Sequence, residues 1–315
     1  MNLPEKYLNS MKDMLKDDFD DYLESFNDKR LYGLRVNNLK ISTEDFLKIS
    51  PFKLTPIPWI ENGFYYEETD KPAKHPYYYA GLYYIQEPSA MTPANVLPID
   101  EGDVVFDMCA APGGKSLHLA DMLHGSGHVE ARDITDYKVQ LMQENIERIG
   151  VINMSATLQD ATVFDPESVE RADILLADVP CSGLGVIGKK ADIRYKMTPA
   201  KQTEIIKLQR KILDTVWKYV KVGGTLIYST CTIGAEENQY NVKWFLENYP
   251  FRLESIDPYI CDALKSKTTK GGYIQLLPGI HESDGFFIAR LRRLEETEEV
   301  QGEEYGEDGY QIAGL

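Results

Sequence analysis

Val104-Val-Phe-Asp107-Met-Cys-Ala-Ala-Pro-Gly113-Gly114-Lys115-Ser116 decides how this 315-residue chain folds. An apolar run ending in an acid reads as a buried parallel strand, and the small residues after it form a turn that opens a helix. In a doubly wound sheet, that is where the backbone must let a nucleotide-like ligand come close. Two phosphate-binding patterns fail on spacing. A G-x-x-x-x-G-K-S loop needs glycine at 109, where Cys109 sits, and G-x-G-x-x-G is absent. A turn with few free amides and an acidic strand end suits a ligand without phosphates, such as S-adenosylmethionine.

Working outward, apolar runs alternate with helical segments from residue 102, the pattern of a parallel sheet with crossover helices. Strands are predicted at Val104–Met108, Gly127–Ala131, Met154–Leu158, Ile174–Asp178 and Thr225–Ser229, with a final pair at Tyr273–Leu277 and Phe286–Leu291. Helices are predicted around 114–123, 136–149, 199–220 and 235–248. The third has Thr198 as cap, Pro199 at its first position and Ile205, Leu208, Ile212, Val216 and Val220 on one face. Acids stand at successive strand ends. Asp133 is placed to accept both hydroxyls of a ribose, and Asp160 to meet an adenine rim. Taken singly, each also reads as an ordinary loop acid or helix cap.

Two cysteines then stand out. Cys181 in Asp178-Val-Pro-Cys-Ser-Gly and Cys231 in Tyr228-Ser-Thr-Cys-Thr each lie just beyond a predicted strand. A thiolate adds readily to an electron-poor ring carbon, which makes carbon elsewhere on that ring nucleophilic. Such a pair points to methylation of a pyrimidine carbon. The acid of Asp178-Val-Pro can bond an exocyclic amino group or ring nitrogen of a flipped base, the proline keeping the turn extended. Cys109 and Cys261 read as packing thiols, and no C-x-x-C pair suggests zinc or redox chemistry.

Composition is that of a soluble globular protein, with 43% hydrophobic and 27% charged residues. No apolar run is long enough to span a membrane, and the N-terminus lacks the pattern of a secretory signal, so the expected location is the cytoplasm. The formal net charge is -16, which argues against nonspecific polyanion binding over the whole surface. Much of it is local: eight acids and no base lie between Glu295 and Leu315, leaving -8 on the rest. That tail reads as disordered and solvating. A basic track follows Cys181: Lys189, Lys190, Arg194, Lys196, Lys201, Lys207, Arg210 and Lys211. The Lys189–Lys196 part is the better placed for phosphates, and the later residues equally suit a solvated helix face.

The N-terminal part reads as an amphipathic helix over 4–26, with Leu8, Met11, Leu15, Phe19, Tyr22 and Leu23 near helical spacing. A strand-like Tyr32-Gly-Leu-Arg-Val-Asn, a short helix that Ser42 caps, and a tyrosine-rich strand at 64–66 follow. This suggests a small α/β module over 1–74, then a catalytic domain over 75–293 and the acidic tail over 294–315. The tyrosines between His75 and Tyr84 suit either packing between the modules or stacking on bases.

These motifs together resemble the RNA (cytosine-5) methyltransferase family of the Sun/Fmu, Nop2 and NSUN type. The match spans about residues 30–293 and rests on the turn at Asp107–Lys115, on Asp178-Val-Pro-Cys181-Ser-Gly-Leu-Gly, and on Tyr228-Ser-Thr-Cys231-Thr with Glu236-Glu-Asn238 behind it. The resemblance implies an α/β, Rossmann-like class I S-adenosylmethionine-dependent methyltransferase with a small N-terminal RNA-recognition-like module. It implies that Cys109, Ala110, Ala111, Pro112, Gly113, Gly114, Lys115, Asp133, Asp160 and Asp178 line the S-adenosylmethionine site. It assigns Cys231 as nucleophile and Cys181 to resolving the adduct, with Asp178 completing the catalytic set; spacing alone leaves the two cysteines interchangeable. No metal is implied. Lys115 is read either as approaching the base or RNA backbone or as a solvated lysine at a helix start.

The implied substrate is RNA, 16S ribosomal RNA first, with transfer RNA as the alternative and a noncatalytic ribosome-assembly factor as the rival from another class. DNA is not expected, because no large target-recognition insertion follows the catalytic motifs. Bacterial ribosomal members carry a NusB-like domain before, or an RNA-binding domain after, the shared part, and neither pattern occurs here. Residues 251–293 look like the NusB-bearing type, whereas Arg35-Val-Asn and Tyr84-Ile-Gln-Glu-Pro-Ser-Ala look like the other.

Overall fold

The computed structural model describes residues 5–190 and 192–295, so the acidic tail lies outside the described residues from position 296. Twelve strands occur among them. Four make a small sheet: β1 (Tyr32–Val36), β2 (Thr55–Pro56), β3 (Gly63–Tyr66) and β4 (Tyr83–Ile85), in the order β2-β3-β1-β4. The other eight are β5 (Val104–Asp107), β6 (His128–Asp133), β7 (Met154–Leu158), β8 (Ala172–Asp178), β9 (Val220–Thr230), β10 (Phe251–Leu253), β11 (Tyr273–Leu276) and β12 (Phe286–Arg293).

The large sheet runs β10-β12-β9-β8-β5-β6-β7, with β11 against β12. Strands β5 to β9 are parallel to their neighbours, and β12 closes the sheet antiparallel to β9. From β5 the chain steps outward to β6 and β7, then returns to the other side of β5 for β8 and β9. That reversal opens a crevice at the carboxyl ends of β5 and β8, where open α/β sheets bind ligands. Apolar residues fill both faces: Val105, Leu176 and Ile227 lie in one core layer, and Phe106, Leu175 and Leu226 in the other.

Every sheet strand predicted from residue 104 onward is present, with ends shifted by a few residues. The 199–220 helix is Pro199–Val216 followed by a 3-10 turn to Tyr219, and Thr198 Oγ1 accepts from the Lys201 amide at 3.3 Å. Its buried face holds Gln209, Ile212, Leu213, Thr215 and Val216, while Leu208 is exposed. The expected apolar stripe is therefore rotated, and the polar Gln209 occupies its centre.

Two expectations for the N-terminal part change. The 4–26 helix is broken into Glu5–Leu15 and Phe19–Glu24, with Lys16 at φ 48° between them. Lys16-Asp17-Asp18 bury nothing that would hold the helix in register. Met11, Leu15 and Tyr22 pack with Ile233 and Leu277, so the two helices lie against the segments after β9 and β11 of the large sheet rather than on the small one. Secondly, the small sheet does not end near residue 74, because β4 pairs with β1 through Leu34 to Ile85. Tyr83 is fully buried there with Leu34, Val36, Phe46 and Phe64.

The small module is locked onto the large one. Ile57, Trp59 and Ile60 share a core with Met91 and Leu117, and Trp59 Nε1 donates to Thr92 Oγ1 at 3.0 Å. Buried Asp121 accepts from Arg35 Nη1 and Asn62 Nδ2 on one oxygen, both at 3.1 Å, and from the Leu39 amide on the other. Asn37 donates to the carbonyls of Gly81 and Ile149. Arg35-Val-Asn37 is thus a docking motif, whose buried Arg35–Asp121 pair shares the carboxylate with Asn62 and the Leu39 amide, while Arg35 Nε is left without a partner. The tyrosine run is mostly packing, with Arg148 lying 4.0 Å over the Tyr78 ring, although Tyr79 is exposed.

Candidate active site

The turn after β5 is built for close approach. Gly113 has φ 98°, a left-handed conformation that glycine adopts without strain, and it precedes the helix Gly114–Met122. A Cβ on Gly114 would come 2.8 Å from a Tyr84 ring carbon, so the small sheet abuts the turn. Asn145 Nδ2 donates to the Pro112 carbonyl at 3.1 Å from the helix Asp136–Ile149. Asp107 is buried at the strand end; Oδ2 accepts from Ser116 Oγ at 2.5 Å, while Oδ1 is buried without a partner. Burial lifts its pKa to about 7, against the lowering effect of the Ser116 bond.

Asp133 and Asp160 lie beside that turn. Asp133 ends β6, is buried, and accepts from the amides of Ala111 at 3.2 Å and Ile134 at 2.8 Å. Lys138, about half exposed, reaches the same carboxylate at 3.1 Å. Asp160 follows β7 and accepts from the Thr162 amide at 2.8 Å. Ile134, directly after Asp133, is 59% exposed and offers an apolar surface next to the two acids.

On the other side of the switch point, β8 and β9 bring the two thiols together. Asp178 pairs with Ser229 across the parallel ladder, and three residues past Asp178 and two past Ser229 the Sγ atoms of Cys181 and Cys231 stand 2.9 Å apart. Both cysteines are free thiols and partly exposed. The hydrogen bond from Cys181 lowers the pKa of Cys231, helped by the positive charges of Lys115 and Lys190 and opposed by burial and Asp178. The same bond, burial and the charges of Cys231 and Glu237 push Cys181 well up. The two directions make Cys231 the more acidic thiol of the pair.

Lys115 is not a solvated lysine at a helix start. It lies partly buried against Asp178, with Nζ 2.7 Å from Oδ2, and stands 5.3 Å from the centre of the Phe286 ring. Burial alone would lower its pKa, but the Asp178 carboxylate overrides that and the net direction is up. Ser229 Oγ donates to the other Asp178 oxygen at 2.8 Å. A permanent cation thus sits in the crevice between the cofactor turn and the thiols.

Behind the thiols lies a polar network whose one local trace is the string Glu236-Glu-Asn238. Glu237 is fully buried; its Oε2 accepts from the Ser182 amide at 2.9 Å and from Gln209 Nε2 at 3.0 Å. Gln209 also donates to the Pro180 carbonyl at 2.9 Å. Asn238 accepts from Thr230 Oγ1 at 2.6 Å and donates to the Thr232 carbonyl at 3.1 Å and to Gln275. Ser182 and Thr232 join the two loops through their hydroxyls at 2.8 Å. Each cysteine is held by its neighbours on both sides.

Comparison with known proteins follows the same lines. A family profile described as 16S rRNA methyltransferase RsmB/F matches residues 94–292. The chain belongs to this family. A second profile, the N-terminal domain of 16S rRNA methyltransferase RsmF, matches residues 3–88, which agrees with the type suggested by Arg35-Val-Asn37. Ribosomal RNA small subunit methyltransferase F of Erwinia tasmaniensis is 37% identical over 308 residues, covering 92% of this chain and 63% of the relative. The protein of the same name from Escherichia coli is 35% identical over 304 residues, with 93% and 64% covered. The chain thus spans a little under two thirds of the length of these relatives. A solved methyltransferase homolog protein from Pyrococcus horikoshii superposes with a TM-score of 0.78 at 29% identity, covering 91% of this chain and 94% of that one.

S-adenosylmethionine is the methyl donor of the RsmB/F family, and the residues present fit it. The turn Cys109–Lys115 offers small side chains and a close approach, the unpartnered Asp107 Oδ1 is an acceptor suited to a cationic group, and Asp133 with Ile134 suits a ribose beside an apolar ring. Of the predicted site residues, Cys109–Lys115, Asp133 and Asp160 line the carboxyl ends of β5 to β7, and Asp178, Cys181 and Cys231 those of β8 and β9. Cys109 packs against the core and burial raises its pKa, so its thiol is inert. Cys261 packs at the edge of the other core layer. Part of the basic track is already engaged: Lys189 pairs with Asp284 at 2.7 Å, Lys196 with Asp192 at 2.8 Å, and Arg210 donates to Asn241. Lys190, Lys201, Lys207 and Lys211 are exposed. Among the described residues no helix is long and apolar enough to cross a membrane.

Proposed function

We propose that this chain methylates carbon 5 of a cytosine in RNA, with 16S ribosomal RNA as the substrate, through a covalent bond between Cys231 and carbon 6. The observation that carries the reading is the thiol pair at 2.9 Å beside the cofactor turn and the Lys115–Asp178 ion pair. Cys231 sulfur adds to carbon 6 of the flipped base, and the electrons of the 5,6 double bond move to carbon 5. Bound S-adenosylmethionine supplies the methyl group as an electrophile. Asp178, fixed by Lys115 and Ser229, keeps a lone pair on each oxygen for the protonated ring-nitrogen side of the adduct. Loss of the carbon 5 proton then restores the double bond and expels Cys231, and Cys181 is the candidate base for that step once its own proton has passed to solvent.

Asp133 takes the ribose hydroxyls when Lys138 gives way, and Asp160 meets the adenine edge. Phosphates are met by Lys190 and the exposed lysines of the 199–216 helix. The test is transfer of label from methyl-labelled S-adenosylmethionine to 16S RNA, as free RNA and as small subunits. Labelled 5-methylcytosine with the wild type and none with Cys231→Ala is the expected result; label on nitrogen or ribose in either substrate refutes the reading.

A further inference from the structure

We propose that Glu237 is a positioning residue that keeps the shared proton of the thiol pair on Cys181 and so leaves Cys231 as the thiolate. The inference rests on the reading of Cys231 as nucleophile, and it explains how two chemically identical side chains 2.9 Å apart are told apart. Glu237 is fully buried, and its Oε2 binds the amide of Ser182, one peptide unit from the Cys181 α-carbon. Three neutral donors hold the carboxylate: that amide, Gln209 Nε2 at 3.0 Å and Gln202 Nε2 at 3.4 Å. Gln209 ties the same oxygen to the Pro180 carbonyl. The carboxylate is thereby fixed behind the Cys181 loop.

The charges around the pair are otherwise asymmetric. Cys231 faces Lys115 and Lys190, with Asp178 opposing them, and Cys181 faces Glu237. Asp107 acts on Lys115, and Arg210 with Glu237 acts on Tyr228, whose hydroxyl donates to the Glu237 carbonyl at 2.5 Å. A cation beside one sulfur and an anion beside the other both place the proton on Cys181. At effective interior dielectrics such charges act over several ångströms.

The test is site-resolved alkylation without RNA: iodoacetamide pulses from pH 6 to 9 on the full chain, with each cysteine quantified by mass spectrometry. In the wild type Cys231 reacts first and at the lower pH. Glu237→Gln keeps the size and one acceptor but removes the charge, and the Cys231 to Cys181 labelling ratio falls by about tenfold, one unit of relative acidity. Glu237→Asp, which keeps the charge, restores the wild-type order. Gln202→Lys brings a cation to the carboxylate from the partly exposed side without touching its buried contacts, and shifts the ratio the same way as Glu237→Gln; it decides the matter should Glu237→Gln fail to fold. If both shift variants fold and label as the wild type does, the proposal is wrong. If wild-type Cys181 reacts before Cys231, the assignment of the nucleophile itself is wrong.

Discussion

The loops that follow β8 and β9 leave adjacent parallel strands, each ends in a cysteine, and each is stitched to the helices behind it, yet they carry opposite electrostatic surroundings. The Cys181 loop closes on Glu237, Gln209 and Gln202, an anion held by neutral donors. The Cys231 loop is held by Asn238 and Gln275, which are neutral, and looks across the crevice to Lys115. A thiol's environment, rather than its place in the fold, sets whether it attacks or transfers a proton. On the proposed mechanism, two similar strand ends make a nucleophile and an acid–base partner.

The largest effect falls on the nucleophile. Cys231→Ala is predicted to lower methyl transfer by at least about 10⁴-fold, because no other group can form the bond to carbon 6. Steady-state labelling of RNA checks this, with cofactor binding measured alongside to show that the crevice is intact. Retained transfer in that variant would end the asymmetry argued between the two loops.

Next comes the cation. Lys115→Met removes the positive charge near Cys231 and leaves Asp178 with only Ser229, and the single-turnover rate is predicted to fall by about 10²-fold. Because both side chains keep some exposure, the cost in stability is smaller than for a dry ion pair, about 1–3 kcal/mol. The wild-type rate, governed by a thiol whose pKa lies below the ordinary value of 9, rises with pH in a limb centred below 9. In Lys115→Met that limb moves to higher pH, since the cation that favoured the thiolate is gone. An unmoved limb would mean that Lys115 serves packing alone.

The last effect is on stability rather than rate, through Asp107. Its folded-state pKa is about 7, above the unfolded value of 3.8. Between those values the folded state binds more protons than the unfolded one, so Asp107 erodes stability as pH rises from about 4 to 7. Denaturant titrations of wild type and Asp107→Asn should show a stability difference that shifts in favour of the variant over that range and is flat above it. A constant difference from pH 4 to 8 would mean that Asp107 stays ionised throughout.

The parallel sheet and its cofactor turn were legible because apolar strand runs, small-residue turns and strand-end acids are local signals, visible without knowing what they meet. The thiol pair was legible as a pair, but its roles came from resemblance. What separates them lies in side chains distant in sequence: Glu237, Gln209 and Lys115 act through contacts that no periodicity encodes. Gln209 left one trace, a polar residue between Leu208 and Ile212 on a helix otherwise read as apolar there. The partner of Lys115 is hidden for the same reason, since a lysine at a helix start is ordinarily solvated and only the return of β8 beside β5 brings Asp178 to it. The extension of the small sheet through Tyr83–Ile85 was hidden by the tyrosine run, whose composition suits strand, interface and stacking alike.

The most direct test is to mix Cys181→Ala and, separately, Cys231→Ala with S-adenosylmethionine and 16S RNA, then separate the products on a denaturing gel. A protein–RNA adduct with Cys181→Ala and none with Cys231→Ala is the predicted result, because bond formation survives and release does not. An adduct with Cys231→Ala alone would exchange the roles of the two thiols and contradict the charge asymmetry between their loops.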